Sequence, residues 1–302
     1  MELKHILEYI AAKVLIFILS LLPFSLVIRL GSALGLFAYY VVPIRRSVAL
    51  TNLRAAFPEK SCKERKKICR NAYRNFGMTL LEFFCLSRLS PENIKQIVTF
   101  DPPDCLQKAM AKNRGVIAVT GHFSSIELFC VAVANSGISI DVVVKPMKNP
   151  YIENILDTLR HKANLGVIKV KDGFSKVAES IAQKRLVALG SDQDAGPKGV
   201  FVKFFGIESS APAGPAILAI RSKAPMVAGF IVREGIAQYT GNIHNIPYDN
   251  LPETKEDQIR EITQRYSSLL ESYIRQYPEQ YFWMHKRWKT AGIYDRNPRE
   301  KT

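Results

Sequence analysis

From residue 115 to 191 the chain alternates short apolar runs with longer stretches whose apolar residues recur at helical spacing. The runs are VIAVT (116–120), ISIDVVV (138–144), GVIKV (166–170) and RLVALGS (185–191). Between them the spacing predicts helices through Asn135, near 151–162 and near 174–183. Strand–helix alternation of this kind predicts an α/β fold with a mostly parallel central sheet flanked by helices and right-handed crossovers. Further on, GPKGVFVKFFG (196–206) alternates like a strand, 212–235 reads as a helix and then a strand reaching Arg233, and 255–276 reads as an amphipathic helix. No strand is followed by GxGxxG or GxxxxGK[S/T], so no nucleotide cofactor is expected.

The N-terminal third is patterned differently. Residues 14–28 and 30–44 are uncharged runs of fifteen separated by Arg29. Each is short of the roughly 20 residues that span a bilayer, and Pro23 interrupts the first. A tilted span, a re-entrant pair, an interfacial helix and a core helix of a soluble protein all fit this pattern. Arg45 and Arg46 open a basic block, which puts the body on the cytoplasmic side under the positive-inside rule. Residues 47–98 read as helices, with Ser61 as an N-cap. The aromatic stripe around Phe76 and FFCL (83–86) suits either core or the lining of an apolar pocket. The expected organisation is an N-terminal membrane anchor (1–44) followed by a domain (45–302) made of a basic helical segment (45–98) and an α/β core (115–289).

With 47% hydrophobic residues the chain is not a disordered one. A net charge of +15 implies an anionic partner. Ten Lys/Arg against two acids fall in 43–74, directly after the apolar N-terminus. A basic block beside a hydrophobic segment points to a membrane surface rather than to nucleic acid, and no zinc-finger or RNP pattern appears. Five cysteines without CxxC spacing read as reduced packing residues.

The candidate chemistry centres on VIAVTGHFSSIELF (116–129). A strand that ends at Gly121 and delivers His122 puts an imidazole at the carboxyl edge of the sheet, where substrates of open α/β folds sit. Glu127 follows five positions on, so the two side chains meet only if His122 lies in the loop and Glu127 in the first helical turn. Gly121 would permit the bend, and Ser124 or Ser125 would cap the helix. A His held by a carboxylate is a general base for an alcohol. The bland alternative is a surface His with a Glu complementing the helix dipole. The spacing does not suit a metal pair, and no metal is expected.

Arg160 could grip a phosphate or stabilise an oxyanion, or simply be a solvated helix residue; Lys145 is a weaker candidate of that kind. Asp192 and Gln193 follow RLVALGS at the edge that also carries His122, either as a substrate site or as an ordinary turn. Arg233 is a stronger candidate for substrate than Arg221, which sits where a helix C-terminus favours any cation. In the ending, Trp283 and Trp288 interleave with Lys286, Arg287 and Lys289, as suits a lipid headgroup interface.

GHFSSIELF resembles the His-x-x-x-x-Asp/Glu motif of the bacterial lipid A late acyltransferases, the lauroyl/myristoyl, lysophospholipid-acyltransferase-like family. Three more blocks follow that family in order: RRSVALTNLRAAFPE (45–59), SDQDAGPKGVFVKFFG (191–206) and YPEQYFWMHKRWK (277–289). The chain departs from it in having SSI where the family often has GN-W, and Tyr281-Phe282 near a common Trp. The resemblance implies a glycerolipid-acyltransferase-like fold and an N-terminal anchor in the bacterial inner membrane. It implies acyl carrier protein as donor and an anionic lipid A precursor as acceptor. His122 would then be the base, Glu127 its orienting acid, and helix-start N–H groups with Arg160 the oxyanion donors. No cofactor enters this reading. A same-fold acyltransferase of another glycolipid or glycerophospholipid, and a non-catalytic membrane-associated protein, are the competing readings.

Overall fold

The continuous apolar run at 116–120 is apolar because both faces of its strand are covered. Val116 and Ala118 enter one hydrophobic core while Ile117 and Val119 enter another on the opposite side. The computed structural model describes residues 3–101 and 104–294. Its helices are α1 (Leu3–Ser20), α2 (Phe24–Tyr40), α3 (Arg46–Ala56), α4 (Cys62–Phe83), α5 (Pro91–Ile97), α6 (Cys105–Met110), α7 (Ile126–Asn135), α8 (Pro150–Lys162), α9 (Gly173–Ala182), α10 (Gly214–Ser222) and α11 (Lys255–Gln276). Its strands are β1 (Val98–Asp101), β2 (Val116–Thr120), β3 (Ile140–Val144), β4 (Leu165–Lys169), β5 (Leu186–Gly190), β6 (Val200–Phe204), β7 (Ile207–Ala211), β8 (Met226–Gly235) and β9 (Gln238–Asn245).

Seven strands form the central sheet in the order β1-β9-β8-β2-β5-β3-β4. Every neighbouring pair is parallel except β8 and β9. The expected α/β fold with a mostly parallel sheet is what forms. Helices α7 and α8 pack in one core, and α9, α10 and α11 in the other. The strand expected at 196–206 forms too, but it pairs with β7 as a separate hairpin outside the sheet. Ser61 caps α4 through a full capping box with Glu64.

Of the forms left open for the expected N-terminal membrane anchor, the spanning one is not supported. Among the described residues, no helix is long and apolar enough to cross a membrane. Pro23 divides the segment into two helices of 18 and 17 residues, and both lie against the body. The Asn149 amide at the start of α8 donates to His5 O (3.1 Å) and Glu8 (2.8 Å) on α1. Helix α2 packs along α4 so closely that a Cβ on Gly35 would fall 2.1 Å from Tyr73 O, and one on Gly77 would fall 2.2 Å from Gly31 O. The outward faces stay bare: Ile10, Phe17 and Leu21 of the first segment and Leu30, Leu34 and Phe37 of the second are exposed.

The C-terminal ending is also corrected. Trp283 and Trp288 are fully buried and Arg287 is 2% exposed, so they form core rather than a headgroup interface. The indoles meet Phe57, Phe204 and Phe205, whose rings fill the space between α3, the β6–β7 hairpin and the tail. Asn52 ties the ending to α3 by donating to Trp283 O and His285 O, both at 2.7 Å, while accepting from the Tyr294 hydroxyl. All five cysteines are free thiols, and Cys69, Cys85 and Cys130 are buried.

Candidate active site

Strands β2 and β5 are parallel neighbours, with Thr120 opposite Gly190, so the loops that leave them emerge side by side. Ser191 N donates to Thr120 O (2.9 Å), which carries the pairing one residue beyond the strands. One loop then delivers His122 and the other Asp192. The tail clamps the His loop from a third side: Phe282 N donates to His122 O (2.9 Å), and Ser124 N donates to Gln280 O (2.7 Å). The glycine before His122 is explained by proximity rather than by dihedral freedom, because a Cβ on Gly121 would lie 2.7 Å from a Leu270 methyl. The left-handed residue of the bend is Ser124, at φ 51°. Neither Ser124 nor Ser125 caps α7 with its side chain, and the Ser124 hydroxyl is buried without a partner.

Asp192 grips His122 at two points. Its Oδ2 accepts from His122 N (3.0 Å) and its Oδ1 from Nδ1 (2.7 Å). The carboxylate side chain is 2% exposed and the imidazole 42%. An ionised carboxylate can only accept, so the proton sits on Nδ1 and the lone pair of neutral His122 on Nε2. The Gln193 amide lies 3.2 Å from that nitrogen. The negative charge of Asp192 outweighs burial and raises the imidazole to about 9. Burial alone would raise the Asp192 carboxyl, but the His122 charge and hydrogen bonds hold it near 2.

Glu127 was the acid expected to orient the ring, and the hydrogen-bonded carboxylate is instead Asp192. Glu127 does stand in the first turn of α7, but its Oε1 accepts from Arg160 Nη2 (3.3 Å). It faces His122 across a cavity of about 150 Å³ and touches it only through its charge. Phe76, Ile126 and Phe282 give this cavity apolar walls, while Asn75, Thr79 and Ser124 add polar ones. Among the described residues, no group of three or more His, Cys, Asp or Glu side chains could hold a metal ion.

An imidazole at the sheet edge beside a partly apolar cavity could serve chemistry on a lipid-like substrate. The profile of the bacterial lipid A biosynthesis acyltransferases matches residues 2–290. The chain belongs to this family. It is 29% identical over 275 residues to the lipid A biosynthesis palmitoleoyltransferase of Escherichia coli K12, covering 90% of this chain and 88% of that one. The lauroyltransferase of the same strain is 26% identical over 272 residues, covering 89% and 87%. Its myristoyltransferase is 25% identical over 265 residues, covering 85% and 79%. The protein is therefore an O-acyltransferase.

In this acyltransferase the remaining candidate residues divide sharply. Arg160 is 11% exposed and bound to Glu127 and Asp157, with its guanidinium 5.1 Å above the Phe83 ring. It stands behind Glu127 rather than on the cavity wall. Arg233 is not free to bind substrate as expected: its guanidinium donates to Asn75, Thr79, Glu82 and Tyr239, and its backbone N–H to Gln280. Through Asn75 and Gln280 it braces the wall that substrate would touch. Sequence reading missed Asn75, Thr79 and Gln280 because nothing in the local pattern of α4 or of the tail marks them as neighbours of His122. His285 is neutral, held down by burial, and its Nδ1 has no partner among the described residues.

Proposed function

We propose that this acyltransferase moves a fatty acyl chain from an acyl carrier protein thioester to a hydroxyl of a lipid A precursor, at the cytoplasmic face of the bacterial inner membrane. The observation that carries the reading is an imidazole fixed in one tautomer by Asp192 and opening onto a cavity with apolar walls. His122 Nε2 takes the proton of the acceptor hydroxyl as its oxygen attacks the thioester carbonyl. The resulting oxyanion is met by the uncapped first-turn N–H groups of α7 and by the unpartnered Ser124 hydroxyl. The C–S bond then breaks, and the departing thiolate takes the proton back from His122. Gln193 holds the place at Nε2 that the acceptor hydroxyl enters, and Arg160 keeps Glu127 at the cavity wall.

Charge and kinship support this donor and acceptor. A chain of net charge +15 suits an acidic carrier protein and an anionic glycolipid. Incubation with a labelled acyl-carrier thioester and a lipid A precursor should add the mass of one acyl chain to the precursor. Release of free fatty acid alone, or acylation only of a glycerophospholipid added in parallel, would refute the acceptor.

The raised proton affinity of His122 fixes the direction of the pH dependence. Below the imidazole midpoint the base form grows about tenfold per pH unit, and above it the rate levels off. With a midpoint of about 9, kcat/KM should be about 50-fold higher at pH 9 than at pH 7. A profile flat across that window would contradict His122 as the base.

Membrane contact in this reading is made by the bare faces of α1 and α2, lying flat rather than spanning. Lys63, Lys67, Arg70 and Arg74 form one stripe of α4, and Arg74 bonds Ser32 on α2, so anionic headgroups would meet cations beside the apolar faces. The double substitution Leu34→Glu, Phe37→Glu should release the chain from phosphatidylglycerol vesicles in a flotation assay while leaving its melting temperature unchanged. Undiminished flotation would count against this face.

A further inference from the structure

Among the described residues, Arg287 is a buried cation without an ion pair. It is 2% exposed; its Nη1 donates to Ser210 O (2.7 Å) and its guanidinium lies 4.9 Å above the Phe204 ring. Its Nε has no hydrogen-bond partner, and no carboxylate lies within ion-pair distance of it among the described residues. One small cavity, of about 10 Å³, adjoins it. That is roughly the room one water needs. Asp192, Ser191, Thr120, Tyr266 and Ser267 line the same cavity. Asp192 and Arg287 therefore line one small cavity, whose other walls include the apolar Val119, Phe204, Phe230 and Leu270.

The remaining groups around this pair leave the positive charge to Arg287. Tyr266 and Tyr281 adjoin the carboxylate, but burial pushes both phenols up and keeps them neutral. His285 is held neutral by burial. Asp194 accepts from Gly196 and Thr290, and Glu127 is paired with Arg160. Among the described residues His122 is the other cation beside this carboxylate, and a general base is a cation for part of its cycle only. When it is neutral, Asp192 keeps its hydrogen bonds from His122 but would be a buried anion without a counter-charge, which proteins avoid by pairing or by protonation.

We infer that Arg287 is the second counter-charge of Asp192, acting across the small cavity to keep the carboxylate ionised while His122 gains and loses its proton. It is a positioning residue: it meets neither substrate nor the reacting atoms. Its consequence for rate rests on the reading of His122 as base, whereas its consequence for the titration of His122 does not. A positive charge behind the dyad disfavours the imidazolium, so removing it makes the dyad hold its proton to higher pH.

The test is a titration of ring-labelled histidine by NMR on the full chain in detergent, without substrate, with the His122 signal assigned by its loss in His122→Gln. Arg287→Gln should move the His122 midpoint up by about one pH unit, and Arg287→Lys should return it to near the native value. A native midpoint in a folded Arg287→Gln protein would overturn the inference and leave Arg287 a packing residue. Should that variant fail to fold, it is placed in an Asp192→Asn background, where the anion it balanced is gone. Folding there supports the inference, and unfolding there overturns it. Acyl transfer retained by His122→Ala would instead overturn the base reading, without touching this titration.

Discussion

Replacing His122 by Ala should abolish acyl transfer, with kcat down by about 10³- to 10⁴-fold, the upper range for loss of a positioned general base. The loss is assigned to chemistry because the fold has little stake in the ring. The imidazole is 42% exposed, and the two contacts that hold the loop, His122 N to Asp192 and Phe282 N to His122 O, are made by backbone that Ala keeps. The melting temperature should therefore change little while the acylated product disappears from the mass spectrum. A folded Ala variant within tenfold of the native rate would remove His122 from the mechanism.

Replacing Asp192 by Asn is nearly as damaging for a different reason. The His122 backbone N–H needs an acceptor, so the Asn oxygen faces it and the Asn NH₂ faces Nδ1. Nδ1 must then accept, the ring proton moves to Nε2, and the lone pair that the proposed base step needs points the wrong way. A tautomer reversal of this kind costs about 10⁴-fold in the Ser-His-Asp enzymes. A fall of about 10³- to 10⁴-fold in kcat, with KM nearly unchanged, is expected from single-turnover measurements across this isosteric change. A fall of less than tenfold would show that Asp192 does not set the ring.

Much of the α/β core could be read from the chain because its strands are covered on both faces. Runs such as VIAVT and RLVALGS have to be apolar throughout, and the helices between them carry their own period. Strand β9, QYTGNIHN, escaped notice because its buried positions are Tyr239, Gly241 and Ile243 among polar neighbours, too weak an alternation to stand out. The tail misled for a related reason: Trp and Arg have the same composition at a headgroup interface and in a core, and only packing on Phe57, Phe204 and Phe205 distinguishes them. The uncharged N-terminal runs are apolar on faces that remain open, so their composition mimics a span that their length does not reach.

At the site itself, sequence named four residues that stand together, missed Asn75, Thr79 and Gln280 beside them, and mistook one partnership. His122, Glu127, Asp192 and Gln193 do gather at one sheet edge, as the two strand ends implied. Closeness along the chain favoured Glu127 as the ring's acid. The parallel pairing of β2 with β5 brings Asp192, seventy residues away, to bond the ring and the backbone together. Five positions of separation placed Glu127 within sight of His122, while the salt bridge to Arg160 held it on the far wall.

The most direct test is the ¹⁵N spectrum of the His122 ring, recorded above its titration midpoint in the native, Asp192→Asn and Glu127→Gln proteins. The bonding described here predicts a protonated Nδ1 and a bare Nε2 in the native chain, preserved when Glu127 is changed and reversed when Asp192 is changed. A native ring protonated on Nε2, or one that reverses with Glu127 and not with Asp192, would contradict it.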